Sequence, residues 1–206
     1  MTDKDSTISP RQEEILERAL ELVREGGLAN LTMKRVAERV GFTEPALYRY
    51  YPTKQALVLG LLDRLESMLL PTIRAAAADR KAPPVERLVR MVSHHAGMIL
   101  DTDGLPFLLL AEASAAGDQA VIARMGRIAK GLLESLGRVL RELPAAPEGP
   151  RPESLTMPLL GFAAAMAIQR RLVPEKNLSR EEALALIPVL VRRITGVEAA
   201  TKEGQE

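Results

Sequence analysis

The sequence predicts an all-α chain of about nine helices, and three observations predict it. Hydrophobic residues make up 47% of the 206 residues but aromatic residues only 3%, with no Trp. A core drawn from Leu, Ala, Val, Ile and Met suits packed helices, whereas strands favour β-branched and aromatic residues. Apolar residues recur at the helical spacing of i, i+3, i+4 and i+7 in one segment after another. Between those segments fall the Gly, Pro, Ser and Thr residues that cap or break helices. No segment reads as a strand, and no internal repeat is visible.

The elements follow in order. Ser9 caps a first helix with Pro10 at its first position; Ile15, Ala19, Leu22 and Val23 make its buried face, and Gly26 and Gly27 stop it. Thr32 caps a second, with Met33, Val36, Ala37 and Val40 on one face, and Gly41 supplies the backbone freedom of a tight turn. Thr43 caps a very short third helix, reaching Tyr50 or Tyr51 before Pro52 breaks it. Thr53 caps a long fourth helix through about Ala78. After KAPP (Lys81 to Pro84), helix five runs from about Val85 to Leu100, helix six from Leu105 to Ala116 and helix seven from Asp118 to Leu143. A proline-rich loop (Pro144 to Pro152) precedes helix eight, Glu153 to about Val173. Helix nine begins at the Ser179 cap and ends near Gly196, with residues 199–206 a flexible tail.

Composition excludes several chemistries. There is no Cys, so disulfides, Cys-ligated metal and thiol redox sensing are ruled out. The polar N-terminus, MTDKDSTISPRQEE, is not a signal peptide, and the longest apolar stretch, Leu155 to Ile168, is too short to span a membrane and contains Pro158. A cytoplasmic protein is expected. The net charge of +1 is uninformative. Its distribution is less so: Lys34, Arg35, Arg39, Arg49 and Lys54 stand against only Glu38 and Glu44 between residues 32 and 54. The acids of the first helix (Glu13, Glu14, Glu17, Glu21 and Glu25) are expected to face elsewhere.

The segment TMKRVAERVGFTEPALYRYY carries the chemistry. A short helix, a Gly turn and a second short helix docked on a preceding amphipathic helix form a helix-turn-helix over about 32–51. Leu47 and Tyr51, at i and i+4, face the core; Glu44, Pro45, Tyr48 and Arg49 project outward. Arg49 can read guanine edges or bind phosphate. The Tyr48 and Tyr50 hydroxyls can bond phosphates, and Thr43 and Lys54 stand at helix starts, where anions are favoured.

These residues resemble the TetR family. ILERALELVREGGLANLTMKRVAERVGFTEPALYRYYPTKQAL is similar from end to end to its N-terminal domain, through Thr at the second helix start, A-x-x-x-G before the turn and L-Y-x-Y-Y-P-x-K-x-x-L. The resemblance implies a three-helix DNA-binding domain at 1–55, with DNA contacts at Thr32, Thr43, Glu44, Pro45, Ala46, Tyr48, Arg49, Tyr50 and Lys54. It implies a helical ligand-binding and dimerisation domain at 56–198, and a homodimer on palindromic double-stranded DNA. Helices eight and nine would pair with those of a second subunit, through Leu159, Leu160, Phe162, Ala163, Met166 and Ala167, then Leu184, Leu186, Ile187, Leu190, Val191 and Ile194. Burial of these faces within one subunit is the alternative.

Helices five to seven would frame a small-molecule pocket, lined by Met91, His94, Met98, Phe107, Leu108, Met125 and Phe162, or these residues are ordinary core. Such a lining favours an apolar effector, acyl or aromatic. His94 and His95 are adjacent, so on a helix they point about 100° apart and do not make a metal site. Asp101 and Asp103 serve a turn beside Gly104, and the Arg170–Arg171 pair is read as a solvated helix end. No catalytic set, metal or cofactor is called for, so an enzyme is not expected. Two function classes stay open: a repressor released by an effector, and a DNA-binding regulator governed by abundance or a protein partner.

Overall fold

A computed structural model describes residues 8–144, 151–176 and 178–196. All its regular elements are helical: α1 (Pro10–Gly26), α2 (Met33–Val40), α3 (Glu44–Tyr48), α4 (Lys54–Ala78), α5 (Pro84–Asp101), α6 (Leu105–Ala116), α7 (Gln119–Leu140), α8 (Thr156–Leu172) and α9 (Arg180–Thr195). Short 3₁₀ turns occupy Leu28–Asn30, Pro152–Leu155 and Pro174–Lys176. Most of the Pro144–Pro152 loop, and the tail at 199–206, lie outside the described residues.

Local chemistry accounts for the boundaries. Ser9 and Gln12 form a capping box: Ser9 Oγ accepts from Gln12 N at 3.2 Å, and Gln12 Oε1 accepts from Ser9 N at 3.1 Å. Ser179 and Glu182 repeat it at α9. At the end of α2, Phe42 N donates to Ala37 O and Gly41 N to Glu38 O, with Gly41 at φ 75°. This closure needs a left-handed residue, which glycine supplies without strain. The same closure ends α5 at Asp103, φ 50°, the turn role expected of it.

Helix α7 stops at Leu140 rather than Leu143, two further boundaries move, and one expected cap is not made. Helix α3 stops at Tyr48 rather than Tyr50 or Tyr51. The residue before a proline is pushed out of the α region, so the chain tightens ahead of Pro52. The Thr43 side chain makes no capping bond. Pro45 has no N–H, and the N–H of Ala46 donates to the Thr43 carbonyl at 3.0 Å, leaving the hydroxyl no donor to accept from. Helix α8 begins at Thr156, not Glu153. A start at Glu153 would set Pro158 inside the helix against the carbonyl of Ser154; starting at Thr156 keeps it in the first turn.

The chain divides into two compact units, Met1–Glu66 with Leu105–Met125, and Ser67–Gly104 with Gly126–Glu206. In the first, α1 lays Ile15, Leu16, Ala19, Leu20, Leu22 and Val23 against the buried face of α2. In the second, α5 packs against both α8 and α9. Arg87 of α5 is buried, 1% exposed. Its Nε donates to Ala76 O at 3.2 Å, its Nη2 to Ala77 O, and its Nη1 to Glu142 Oε2 at 2.6 Å. One guanidinium thus satisfies carbonyls at the end of α4 and a carboxylate just beyond α7.

The second unit corrects one expectation. Leu159, Ala163, Met166 and Ala167 of α8, and Ile187 and Val191 of α9, are buried within the single chain. They are its own core and are not available to a second subunit. Leu160, Phe162 and Ala164 are half-buried, and the exposed residues Met157, Gly161, Ala165, Ile168 and Leu172 of α8 form a separate stripe at i, i+4, i+8, i+11 and i+15. Met157 is 67% exposed, Ile168 55% and Leu172 75%; on α9, Leu186 and Val189 are exposed too.

Candidate nucleic-acid interface

Helix α3 has two faces, and packing decides which is which. Leu47 is fully buried and Tyr51 nearly so. Burial pushes the Tyr51 phenol up to about 12, helped by the charges of Glu13 and Asp63. Beneath Tyr51 lies Gly60 of α4: a Cβ there would stand 2.8 Å from Tyr51 Cε1 and 3.2 Å from Leu16 Cδ2. The close approach of α4 to the base of the recognition segment therefore requires the missing side chain.

The opposite face is open. Thr32, Thr43, Pro45, Tyr48, Arg49, Tyr50 and Lys54 are exposed, and Glu44 and Ala46 are half-buried. The nine positions thus lie at the surface of one unit, on α3 and the helix starts beside it. Tyr50 is not loose: its ring stacks on Phe42, centroids 5.8 Å apart and 18° from parallel, and the Arg11 guanidinium lies 4.2 Å above the Phe42 ring. Sequence reasoning missed Phe42 and Arg11. The available signal was an aromatic residue placed directly after the turn glycine, where a solvated loop would be polar.

The charges are more tightly paired than expected. Arg39 donates Nη1 and Nη2 to the two carboxylate oxygens of Glu25, both at 2.7 Å, and Glu21 Oε2 lies 3.8 Å from Nη1. The hydrogen bond from Arg39 holds the Glu25 carboxyl below the usual range. Two acids of the first helix therefore reach the basic segment instead of facing away. Arg35 donates to Asn30, and Lys54 Nζ lies 3.0 Å from Glu112 Oε1. Lys34 and Arg49 make no ion pair among the described residues.

The seven pocket candidates divide between the two units. Met91, His94, Met98 and Phe162 belong to one unit, Phe107, Leu108 and Met125 to the other. Met91 and Met98 are buried, while Phe107 is 37% exposed. Two described concavities, one of about 110 Å³ beside Lys54 and Val121 and one of about 410 Å³ beside Leu133 and Arg141, contain none of the seven. His94 Nε2 lies 2.9 Å from Met68 O, while the neighbouring His95 is buried. Among the described residues no group of three or more His, Cys, Asp or Glu side chains is arranged to hold a metal, and no helix is long and apolar enough to cross a membrane. Arg170 Nη1 donates to Leu100 O at 3.3 Å and is not solely solvated. Asp101 pairs with Arg180 at 2.6 Å.

Comparison with known proteins agrees with this geometry. Residues 15–61 match the family described as bacterial regulatory proteins, tetR family. The chain is 26% identical over 156 residues to the nucleoid occlusion factor SlmA of Marinomonas sp., covering 76% of this chain and 78% of that one. It is similar to a crystal structure of a TetR/AcrR-family transcriptional regulator from Thermobifida fusca, with TM-score 0.66, 25% identity and coverage of 93% and 100%. The fold is also that of FadR from Bacillus subtilis, solved in complex with stearoyl-CoA, at TM-score 0.67, 15% identity and coverage of 91% and 99%. The matched segment and its folded helix-turn-helix make residues 15–61 a DNA-binding domain of the TetR type, and the chain as a whole has the fold of TetR-family transcriptional regulators.

Proposed function

We propose that this protein is a sequence-specific repressor acting in the cytoplasm, a homodimer that reads a palindromic operator and is released by a small apolar effector. The observation that carries the reading is the two-sided segment of α3 and the three residues after it, with Leu47 and Tyr51 inward and Tyr48, Arg49 and Tyr50 outward. Residues 1–55 would read DNA, and 56–198 would dimerise and take the effector. Two recognition helices would enter successive major grooves about 34–36 Å apart. The chemistry is binding, with no reaction assigned.

Arg49→Ala is expected to weaken operator binding roughly 5- to 150-fold per head, the range for losing a good base contact. Tyr48→Phe should cost roughly 2- to 10-fold, the worth of one hydrogen bond. Both side chains are exposed, so the thermal melt should not change. Wild-type affinity in both variants would remove these residues from the interface.

The dimer reading rests on the uncovered stripe of α8, whose small members Gly161 and Ala165 permit close helix approach. Ile168→Glu should convert a dimer to a monomer in sedimentation. A variant that still sediments as a dimer would move the interface elsewhere.

The effector reading is supported by the fold's use in FadR, which holds stearoyl-CoA. A second reading, a DNA binder governed by a protein partner or by abundance, is favoured by the likeness to SlmA, named for nucleoid occlusion. Retention of a small molecule in a native mass spectrum would select the first. The primary test is selection from fragmented genomic DNA: an enriched inverted repeat supports a dimeric repressor. No enrichment by refolded, ligand-stripped protein would overturn it.

A further inference from the structure

The first two residues of α4 are both held from far along the chain. Lys54 Nζ lies 3.0 Å from Glu112 Oε1 of α6. Gln55 Nε2 donates to both carboxylate oxygens of Asp118, at 2.9 and 3.0 Å. Asp118 in turn caps α7, its Oδ1 accepting from Val121 N at 3.1 Å. These anchors rim a cleft lined by the buried Val58, Leu109, Ala113 and Val121. All of them belong to the same compact unit as the recognition helix.

A carboxylate and a DNA phosphate make the same demand on an ammonium, an anionic oxygen at hydrogen-bond distance. Lys54 stands at the helix start assigned above to a phosphate, and Glu112 already occupies it. We propose that Glu112 and DNA phosphate compete for Lys54, which makes this α6 carboxylate a positioning residue that sets the affinity of the head. The proposal rests on the DNA-binding reading given above. The two side chains are 43% and 46% exposed, so the pair is weak enough for DNA to displace. It still lowers affinity, because each binding event must first break it and then leave a carboxylate near the phosphate backbone. The Glu112 carboxylate therefore lowers DNA affinity from outside α3, without any change in α3 itself.

The test uses the full-length protein and a fluorescein-labelled random-sequence 30-base-pair duplex at low salt, since a phosphate contact needs no operator. Glu112→Gln should bind about 2- to 5-fold tighter per head. Its affinity should fall more steeply with salt, by up to about 0.9 in log–log slope per head, because Lys54 no longer exchanges one anion for another. Lys54→Met should weaken binding, and adding Glu112→Gln to it should gain clearly less than the same change gains in the wild type. Wild-type affinity in Glu112→Gln would overturn the proposal. So would an undiminished gain in the double variant, which would reduce Glu112 to a general negative charge. If Arg49→Ala weakens binding to selected operator DNA and Lys54→Met leaves duplex binding unchanged, only the competition fails; if the wild-type protein binds neither duplex, the DNA-binding reading falls with it.

Discussion

Replacing Arg87 by Met is expected to lower the free energy of unfolding by about 3–5 kcal/mol, the cost of breaking a buried ion pair by removing one partner. The change removes the donors of two helix-end carbonyls, Ala76 O and Ala77 O, and strips Glu142 of its main partner. Met fills most of the aliphatic volume, so the loss reports the polar contacts and not a cavity. A pH profile gives a second readout. The hydrogen bond from Arg87 is the main cause holding the Glu142 carboxyl below its ordinary 4.5, with nearby Arg80 adding to it. A depressed carboxylate contributes stability that is complete above 4.5 and fades as pH falls through the folded value. Urea unfolding of Arg87→Met should lack that component. A loss under about 1 kcal/mol would mean that water replaces the guanidinium at little cost.

The buried imidazole of His95 should produce a comparable effect with a different pH window. Burial, with the neighbouring His94 adding to it, pushes His95 down from 6.5 to about 4, and its Nδ1 has no hydrogen-bond partner among the described residues. The neutral form is therefore the folded one. Stability is complete above 6.5 and lost as pH falls toward 4, because the unfolded chain takes the proton first. The difference corresponds to about 3 kcal/mol in full, of which about 2–3 is spent by pH 4.5. His95→Leu should match the wild type within about 1 kcal/mol at pH 7.5 and exceed it by about 2–3 kcal/mol at pH 4.5. Parallel pH profiles in the two proteins would show that His95 is hydrated in the native state.

What the sequence disclosed depended on how local each feature is. Caps, turn glycines and apolar spacing act within four or five residues, so α1, α2, α4 and α9 begin where Ser9, Thr32, Thr53 and Ser179 indicate. The inward pair of α3, Leu47 and Tyr51, was legible for the same reason. Proline effects were visible but misjudged: Pro52 acts on the residues before it, and Pro158 delays a helix expected to start at Glu153. Partners distant in sequence were not legible. Nothing local pairs Lys54 with Glu112, 58 residues on, or Arg87 with Glu142, 55 residues on. Arg87 did leave a trace, a charged residue on the stripe that continues through Leu88 and Met91. The α8 face failed for a different cause. Periodicity shows that a helix is apolar on most sides but not which side its own chain consumes.

The fit of Gly60 under Tyr51 bears on how such a protein diverges. The side chains facing outward on α3 and just after it are exposed, so exchanging them costs the fold little. Leu16, Tyr51 and Gly60 have no such freedom, since any side chain at position 60 collides with the other two. Descendants can therefore change that outward face by many single steps. They can alter the seat of the recognition helix only by coupled ones, a larger residue at 60 arriving with a smaller one at 51 or 16. Lineages should keep the joint and vary the face.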